Sequence, residues 1–351
     1  MGLDRFGVNR NSLQNWASKR EAQSEFPRLI RRLIFETSPS STELGMPAGD
    51  GVAAGGWDGT VQTSSTIPWV PDGKSVWELS VNQNPKLKAD SDYSKRDSPP
   101  GDESPKDFVY VAAILRPWTE RESWAAEKRK TGFWKDVRAL GLDDVEAWLE
   151  QAPVTSAWFA ELLGNTPYGY RSGERWWDNW SEQTKIALTP ELVLAGRAGA
   201  VKSLGLDREH GDPVMTIAAP SDAEALAFLV SAALQLGQQG HGKPLSQLAI
   251  VDDLQAWRRL VDSSNPLILI PRGKELLEEI PRKTHHRILV PVLSDEDADI
   301  VVPSLSSSGV AEILRGAGFD FETADALGAL GRCSLTAMRR SLALNKALHR
   351  P

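Results

Sequence analysis

The stretch from residue 55 to residue 88, GGWDGTVQTSSTIPWVPDGKSVWELSVNQNPKLK, decides how the first half of the chain folds. Residues 60–67 and 75–81 are rich in β-branched and other strand-forming side chains. Pro71, Asp72 and Gly73 between them are typical turn residues. We therefore predict a β-hairpin in this stretch.

Two acidic residues of this hairpin are candidate metal ligands. Asp58 lies in the glycine-rich GGWDG just before the first strand, and Glu78 lies late in the second. Oxygen ligands on neighbouring strands suit a hard cation such as Mg²⁺, which keeps water and substrate phosphate in its other positions. Glu36, at the end of an upstream helix, is a candidate third carboxylate, and Lys86 or Lys88 would bring positive charge to a scissile phosphate.

The hairpin lies within a longer series of predicted elements. Apolar residues recur at helical spacing in residues 12–36, where Pro27 marks a break or a kink. The remaining predictions for this half are a short strand at 46–52, a charged helix at 86–96, a buried strand at 108–115, a strand at 134–140, and helices at 143–151, 154–164 and 172–185.

This order of helix, acidic hairpin, basic helix and strand resembles the PD-(D/E)XK nuclease superfamily, whose restriction-endonuclease-like fold has an αβββαβ core. GGWDG together with WELS is most similar to the Mrr-type restriction branch. The resemblance implies that Asp58 and Glu78 bind Mg²⁺ or Mn²⁺, and that the backbone carbonyl of Leu79 is a further ligand. It also implies hydrolysis of a DNA phosphodiester by a metal-activated water.

One position departs from the superfamily's pattern. The expected lysine stands two residues after the glutamate, where this chain has Ser80. Either Lys86 or Lys88 replaces it from the next helix, as happens elsewhere in the superfamily, or the domain binds without cutting. The alternative hypothesis is therefore a catalytically inactive nuclease-like module that binds DNA or a protein partner and mediates assembly. In that case Asp58 is a turn residue and the two lysines belong to a solvated helix face.

The second half alternates strands and helices in the manner of a parallel α/β domain. The predicted strands are VMTIAA, QLAIV, PLILI and RILVPV, and Ser221 begins an apolar helix with a capping box. We expect a Rossmann-like or P-loop-like three-layer α/β domain. The first strand leads into AAPS at 218–221 where a P-loop enzyme carries GxxxxGK[ST], so the nucleotide-binding core is degenerate. A nucleotide sensor that uses the Ser221 helix N-terminus as an anion site is a third hypothesis.

The distribution of residue types divides the chain. Twelve of the thirteen tryptophans lie at or before Trp180, whereas all five histidines lie in the second half. We therefore predict a nuclease-like domain with a Trp-rich helical tail at 1–185 and a degenerate nucleotide-binding-like domain at 190–351. The first part has neither histidine nor cysteine, which leaves carboxylates, lysines and hydroxyls as its catalytic groups. The single cysteine, Cys333, excludes a disulfide scaffold.

Charge and hydropathy bound the function further. A net charge of −7 argues against coating of nucleic acid by the whole chain, so a DNA site would be local. Without a long apolar run or a signal peptide, we expect a cytoplasmic protein with no membrane partner. A nuclease-like front and an ATPase-like body resemble the N-terminal portion of large bacterial antiphage conflict proteins related to STAND-type ATPases. The resemblance implies a Mg-dependent deoxyribonuclease in antiviral defence, with DNA as substrate and a second copy or another defence-system protein as partner.

Overall fold

The computed structural model describes residues 8–39, 42–47, 56–64, 67–96, 103–208 and 212–343. The chain divides into two compact units, Met1–Pro167 and Tyr168–Pro351, each built on a mixed sheet, which confirms the α/β class. Among the helices of these ranges, none combines the length and the apolar character that a membrane span requires.

The first unit alternates helices and strands after a helical start. Its helices are α1 (Arg10–Ala17), α2 (Ala22–Thr37), α3 (Pro85–Lys95), α4 (Arg121–Arg129), α5 (Leu142–Glu150) and α6 (Pro153–Leu162). Its strands are β1 (Glu43–Gly45), β2 (Gly59–Thr63), β3 (Gly73–Ser80), β4 (Phe108–Ile114) and β5 (Asp136–Leu140), with one turn of 3₁₀ helix at Pro105–Asp107. The helix predicted at 12–36 is broken at residues 18–21, and Pro27 lies inside α2.

The five strands form one sheet in the order β1-β2-β3-β4-β5. β1, β2 and β3 pair antiparallel, which confirms the predicted hairpin, and β4 and β5 add in parallel to β3. The strand predicted at 46–52 is found earlier, at Glu43–Gly45, and residues 48–52 of that prediction lie outside the described residues.

Helices cover both faces of this sheet. Side chains alternate along β3, so that Trp77 packs in the apolar cluster with α1, α2, α5 and α6, while its neighbour Val76 packs in the cluster with α3 and α4. Along β4, Val111 and Tyr110 alternate in the same way. Polar side chains of β3 that point in the same direction as Val76 therefore face α3.

The second unit contains a longer series of helices around a mainly parallel sheet. Its strands are β6 (Tyr170–Ser172), β7 (Val214–Ala218), β8 (Leu248–Val251), β9 (Ile268–Pro271), β10 (Arg287–Val292) and β11 (Ile300–Val301). Its helices are α7 (Gly173–Ser181), α8 (Pro190–Val193), α9 (Ala198–Leu204), α10 (Asp222–Gln238), α11 (Lys243–Gln247), α12 (Leu254–Val261), α13 (Lys274–Glu278), α14 (Ser307–Gly316), α15 (Phe321–Cys333) and α16 (Leu335–Ser341).

The sheet of the second unit has the order β11-β7-β10-β9-β8-β6. The first five strands in this order, from β11 to β8, run parallel to one another. The sequence predicted parallel strands at β7, β8, β9 and β10. At the edge of the sheet, β6 pairs antiparallel with β8.

The predicted boundary between the domains needs correction. The structure divides the chain after Pro167, whereas the sequence extended the first domain to residue 185 as a Trp-rich tail. Tyr170–Ser172 is a strand of the second sheet, and Trp176, Trp177 and Trp180 of α7 are buried in the apolar core of the second unit. The hydrogen bonds of β6 and the burial of these rings therefore assign this segment to the second unit.

Candidate functional site

The hairpin brings Asp58 and Glu78 together. β2 and β3 pair Gly59 with Trp77, so Asp58, just before Gly59, lies opposite Glu78. Facing residues of an antiparallel pair have Cβ atoms about 4.5–5.5 Å apart. Asp58 Oδ2 also accepts a hydrogen bond of 2.7 Å from the backbone N–H of Leu79, which fixes the carboxylate at the end of β3.

A cavity of about 310 Å³ opens at these two carboxylates. One face of α3 completes its wall, because Lys88, Asp92 and Arg96 follow one another at intervals of four residues. The described lining residues include three acidic and three basic side chains: Gln23, Pro27, Asp58, Glu78, Leu79, Ser80, Lys88, Asp92, Lys95 and Arg96.

Glu78 is the most perturbed acid of this cavity. Its side chain is buried, and Arg96 Nε donates a hydrogen bond to its Oε1. Burial raises the pKa of Glu78 to about 7, because the loss of water outweighs the Arg96 contact, and the charges of Asp58 and Asp92 act in the same direction as burial. A carboxylate in such surroundings favours a cation beside it.

Asp58 and Asp92 have different partners. Burial raises the pKa of Asp58, against the Leu79 hydrogen bond and the positive charge of Lys88, which both favour the anion. Lys88 Nζ donates to Asp92 Oδ1 at 2.7 Å, so the lysine bonds one carboxylate and acts electrostatically on another. Ser80 also lines the cavity, at the position where the superfamily resemblance expects lysine.

Two of the residues predicted for the site lie elsewhere. Lys86 is exposed and is two residues from Lys88, about 200° around the helix, so its charge acts on Asp90 instead. Glu36 is fully buried, and its carboxylate oxygens accept hydrogen bonds from the backbone N–H groups of Val154 (2.9 Å) and Thr155 (2.7 Å). The structure therefore does not bring Lys86 or Glu36 to the cavity with Asp58 and Glu78.

Sequence reasoning missed Asp92 and Arg96. Their signal was present, since they continue the helical spacing that begins at Lys88. The ion pair of Arg96 with Glu78 joins residues 18 positions apart, so no local pattern indicated it.

The residues present fit a magnesium-type ion held by two protein carboxylates. Mg²⁺ commonly binds through one or two carboxylates and keeps several waters. Among the described residues, no three His, Cys, Asp or Glu side chains are grouped closely enough to hold a metal, so Asp58 and Glu78 would act as a pair. The Tyr110 hydroxyl, buried and without a hydrogen-bond partner among the described residues, lies within electrostatic range of Glu78 and Asp92. The carbonyl of Leu79 remains a predicted ligand, since the contact described for this residue is made by its N–H.

Comparison with protein-family models and with curated proteins gives no match for the chain.

Proposed function

We propose that the first unit is a metal-dependent DNA endonuclease. The observation that carries the proposal is the meeting of Asp58 and Glu78 across β2 and β3 in a cavity that Lys88 also lines. Two carboxylates can hold a divalent metal that activates water for hydrolysis of a phosphodiester, and a neighbouring ammonium can stabilise charge on the phosphate.

The order of elements supports this proposal. α2, the antiparallel strands β1, β2 and β3, the helix α3 and the parallel strand β4 follow one another as helix, three strands, helix and strand. That order is the αβββαβ series of the restriction-endonuclease-like fold that the sequence resembles. Asp58 lies just before the second of these strands and Glu78 lies on the third.

Asp58 and Glu78 would hold Mg²⁺ or Mn²⁺, which lowers the pKa of a bound water and neutralises phosphate charge. Lys88 takes the role of the lysine that Ser80 cannot supply. Its Nζ lies 2.7 Å from Asp92 Oδ1, and this hydrogen bond orients the ammonium in the cavity. In that position the lysine stabilises negative charge that develops on the phosphate.

A catalytically inactive module that binds DNA or a protein partner is the second candidate. Two observations favour it: Ser80 carries no charge, and both Glu78 and Lys88 already have partners within the chain. On this reading the ion pairs are structural, and the cavity contributes charged groups to an interface without cutting.

We propose a regulatory or assembly role for the second unit, which rests on the resemblance of the sequence. Ser221 caps α10 by accepting from the N–H of Glu224 at 3.2 Å, but the first turn carries Asp222 and Glu224 instead of a phosphate-binding loop. Arg197 is buried and pairs with Glu224. The exposed Asp222 at this helix N-terminus opposes the binding of a phosphate, which counts against the nucleotide-sensor hypothesis. We propose a STAND-like body that controls the nuclease in cytoplasmic antiviral defence, together with a second copy or another defence-system protein.

Cleavage of supercoiled plasmid by the full chain, with Mg²⁺, Mn²⁺ or EDTA, tests the endonuclease. We expect Asp58→Asn and Glu78→Gln to abolish metal-dependent cleavage. Lys88→Ala should slow it about 100- to 1,000-fold, as expected for the loss of a group that stabilises developing charge. Lys86→Ala is the matched control, because this lysine is on the same helix but faces away, and it should leave the rate unchanged.

Near-UV circular dichroism of each variant shows whether its fold is retained. Full cleavage by folded Asp58→Asn and Glu78→Gln proteins would exclude the proposed site. Absence of cleavage by the unmodified chain with either metal, combined with DNA binding in a mobility-shift assay, would establish the binding module instead.

A further inference from the structure

Arg96 joins three parts of the candidate site. It follows the last residue of α3, and its Nε donates to Glu78 Oε1 on β3. Its Nη2 donates to the backbone carbonyl of Gly56, and its guanidinium lies over the Trp57 ring, 4.7 Å from the centroid. The residues just before β2 and the end of β3 are thus both held by one side chain at the end of α3.

This arginine provides the positive charge for the most buried carboxylate of the pair. The Glu78 side chain is only 8% exposed, whereas that of Arg96 is 25% exposed and can reach water. A buried carboxylate without a counter-ion is strongly disfavoured. Lys88, which also lines the cavity, bonds Asp92 in the described contacts.

We propose that Arg96 is a displaceable counter-ion: it neutralises Glu78 when no divalent cation is bound and competes with that cation for the carboxylate. The inference rests on the proposed metal site. Arg96 would be a regulatory residue at this site, because both cations need the same carboxylate and the contact with Glu78 lowers the affinity for metal.

A DNA phosphate could displace Arg96 from Glu78. Guanidinium groups bind phosphates by paired, charge-assisted hydrogen bonds, and Arg96 lines the cavity of about 310 Å³. A phosphate that attracts Arg96 leaves Glu78 without its counter-ion and so strengthens metal binding. By linkage, the metal strengthens DNA binding by the same factor. Arg96 would thus keep the affinity of the site for metal low until DNA is bound.

Titration of the full chain with Mn²⁺ in a calorimeter tests this inference without any cleavage assay. A short DNA duplex with cleavage-resistant phosphorothioate linkages is present in a second series, and the heat of its own Mn²⁺ binding is subtracted. For the unmodified chain we expect the duplex to raise Mn²⁺ affinity at least about fivefold, the lower end of usual coupling factors. Arg96→Gln should bind Mn²⁺ at least about fivefold more tightly than the unmodified chain without DNA, with little further gain from the duplex.

Two control variants make the result interpretable. Arg96→Lys keeps the positive charge and should retain weak, DNA-responsive Mn²⁺ binding even if Arg96→Gln fails to fold. Arg129→Gln removes an arginine of the same unit that pairs with Asp136 outside the cavity, and it should behave as the unmodified chain.

Equal or weaker Mn²⁺ binding by folded Arg96→Gln, or no Mn²⁺ binding by any variant, would overturn the inference. So would Arg96→Lys that binds Mn²⁺ tightly without DNA. The proposed endonuclease is judged separately by plasmid cleavage: loss of cleavage in Asp58→Asn and Glu78→Gln supports it whatever Arg96 does. Tighter Mn²⁺ binding by Arg96→Gln in a chain that never cleaves DNA would retain the counter-ion and reject the nuclease.

Discussion

The Tyr110 hydroxyl is a buried polar group that stabilises nothing by hydrogen bonding among the described residues. Its ring packs edge-to-face against Trp57 and Tyr93, with centroid distances of 5.9 and 5.1 Å. An unsatisfied buried hydroxyl costs about 1–3 kcal/mol. We therefore expect Tyr110→Phe to leave the free energy of unfolding in urea unchanged or to raise it by about 1 kcal/mol, because phenylalanine keeps the ring contacts.

Tyr93→Phe is the matched control for this prediction. The Tyr93 hydroxyl shares a hydrogen bond of 3.1 Å with Thr131 Oγ1, so its removal should lower the free energy of unfolding by about 0.5–1.5 kcal/mol. If Tyr110→Phe proves the less stable of the two variants, its hydroxyl has a partner that the described contacts lack.

Sequence analysis identified some of the residues that line the cavity and missed others. Asp58, Glu78 and Lys88 were found because two adjacent strands and the next helix place them together, a local arrangement that strand patterns reveal. Arg96 pairs with Glu78 through a tertiary contact that depends on where α3 ends. Glu36 was misassigned for the same reason, since the direction of the last turn of α2 decides whether its side chain meets the sheet or α6.

The N-terminus of helix α6 is capped by a carboxylate that belongs to another helix. The residue before α6 is Ala152, whose side chain cannot cap, and Glu36 of α2 accepts from Val154 and Thr155 instead. Burial raises the pKa of Glu36 from 4.5 to about 7, against these hydrogen bonds, which favour the anion. The contact between Glu36 and the N-terminus of α6 should therefore depend on pH.

We predict that this link is visible in stability. The folded chain binds a proton at Glu36 more tightly than the unfolded chain does. The contribution of this protonation to the free energy of unfolding is therefore complete below pH 4.5 and is lost as pH rises through about 7. Unfolding in urea at several pH values should show the stability of the unmodified chain relative to Glu36→Gln falling over this window. A rise of the pKa from 4.5 to about 7 corresponds to about 3 kcal/mol.

Glu150→Gln, at an exposed carboxylate, shows what the loss of a surface charge does by itself. A stability difference between the unmodified chain and Glu36→Gln that stays constant from pH 4.5 to pH 8 would contradict a titrating Glu36.

Over the whole molecule, sequence predicted the succession of elements better than the division between units. β-Rich runs such as residues 108–115 and 287–292 were recognised because apolar, β-branched residues fill buried strands. Tryptophan density misplaced the boundary, since Trp176, Trp177 and Trp180 belong to the core of the second unit. The pairing of Tyr170–Ser172 with β8 joins segments about 80 residues apart, and composition does not reveal it.

The second unit contains a buried histidine that responds to pH in the opposite sense to Glu36. The ring of His286 accepts from the N–H of Leu267 at Nδ1 (3.2 Å) and bonds the carbonyl of Val261 at Nε2 (2.9 Å), a pattern that needs the neutral ring. Burial lowers its pKa below the ordinary value of 6.5, and the positive charge of His285, whose tilted ring lies 4.1 Å away, adds to this. Its contribution to stability is present above pH 6.5 and is lost as pH falls.

Glu36 lies in the first unit and His286 in the second, so each should influence the pH of maximal stability of its own unit. Glu36 disfavours the folded state as pH rises, and His286 disfavours it as pH falls. We expect Glu36→Gln to move the pH of the highest thermal midpoint of the first unit upward. His286→Asn, which keeps an acceptor without a titrating ring, should move that of the second unit downward. His241→Asn, at an exposed histidine, should leave it in place. Scanning calorimetry of the four proteins between pH 4.5 and pH 8 measures these shifts, and displacement of both maxima in one direction would show that one of the two signs is wrong.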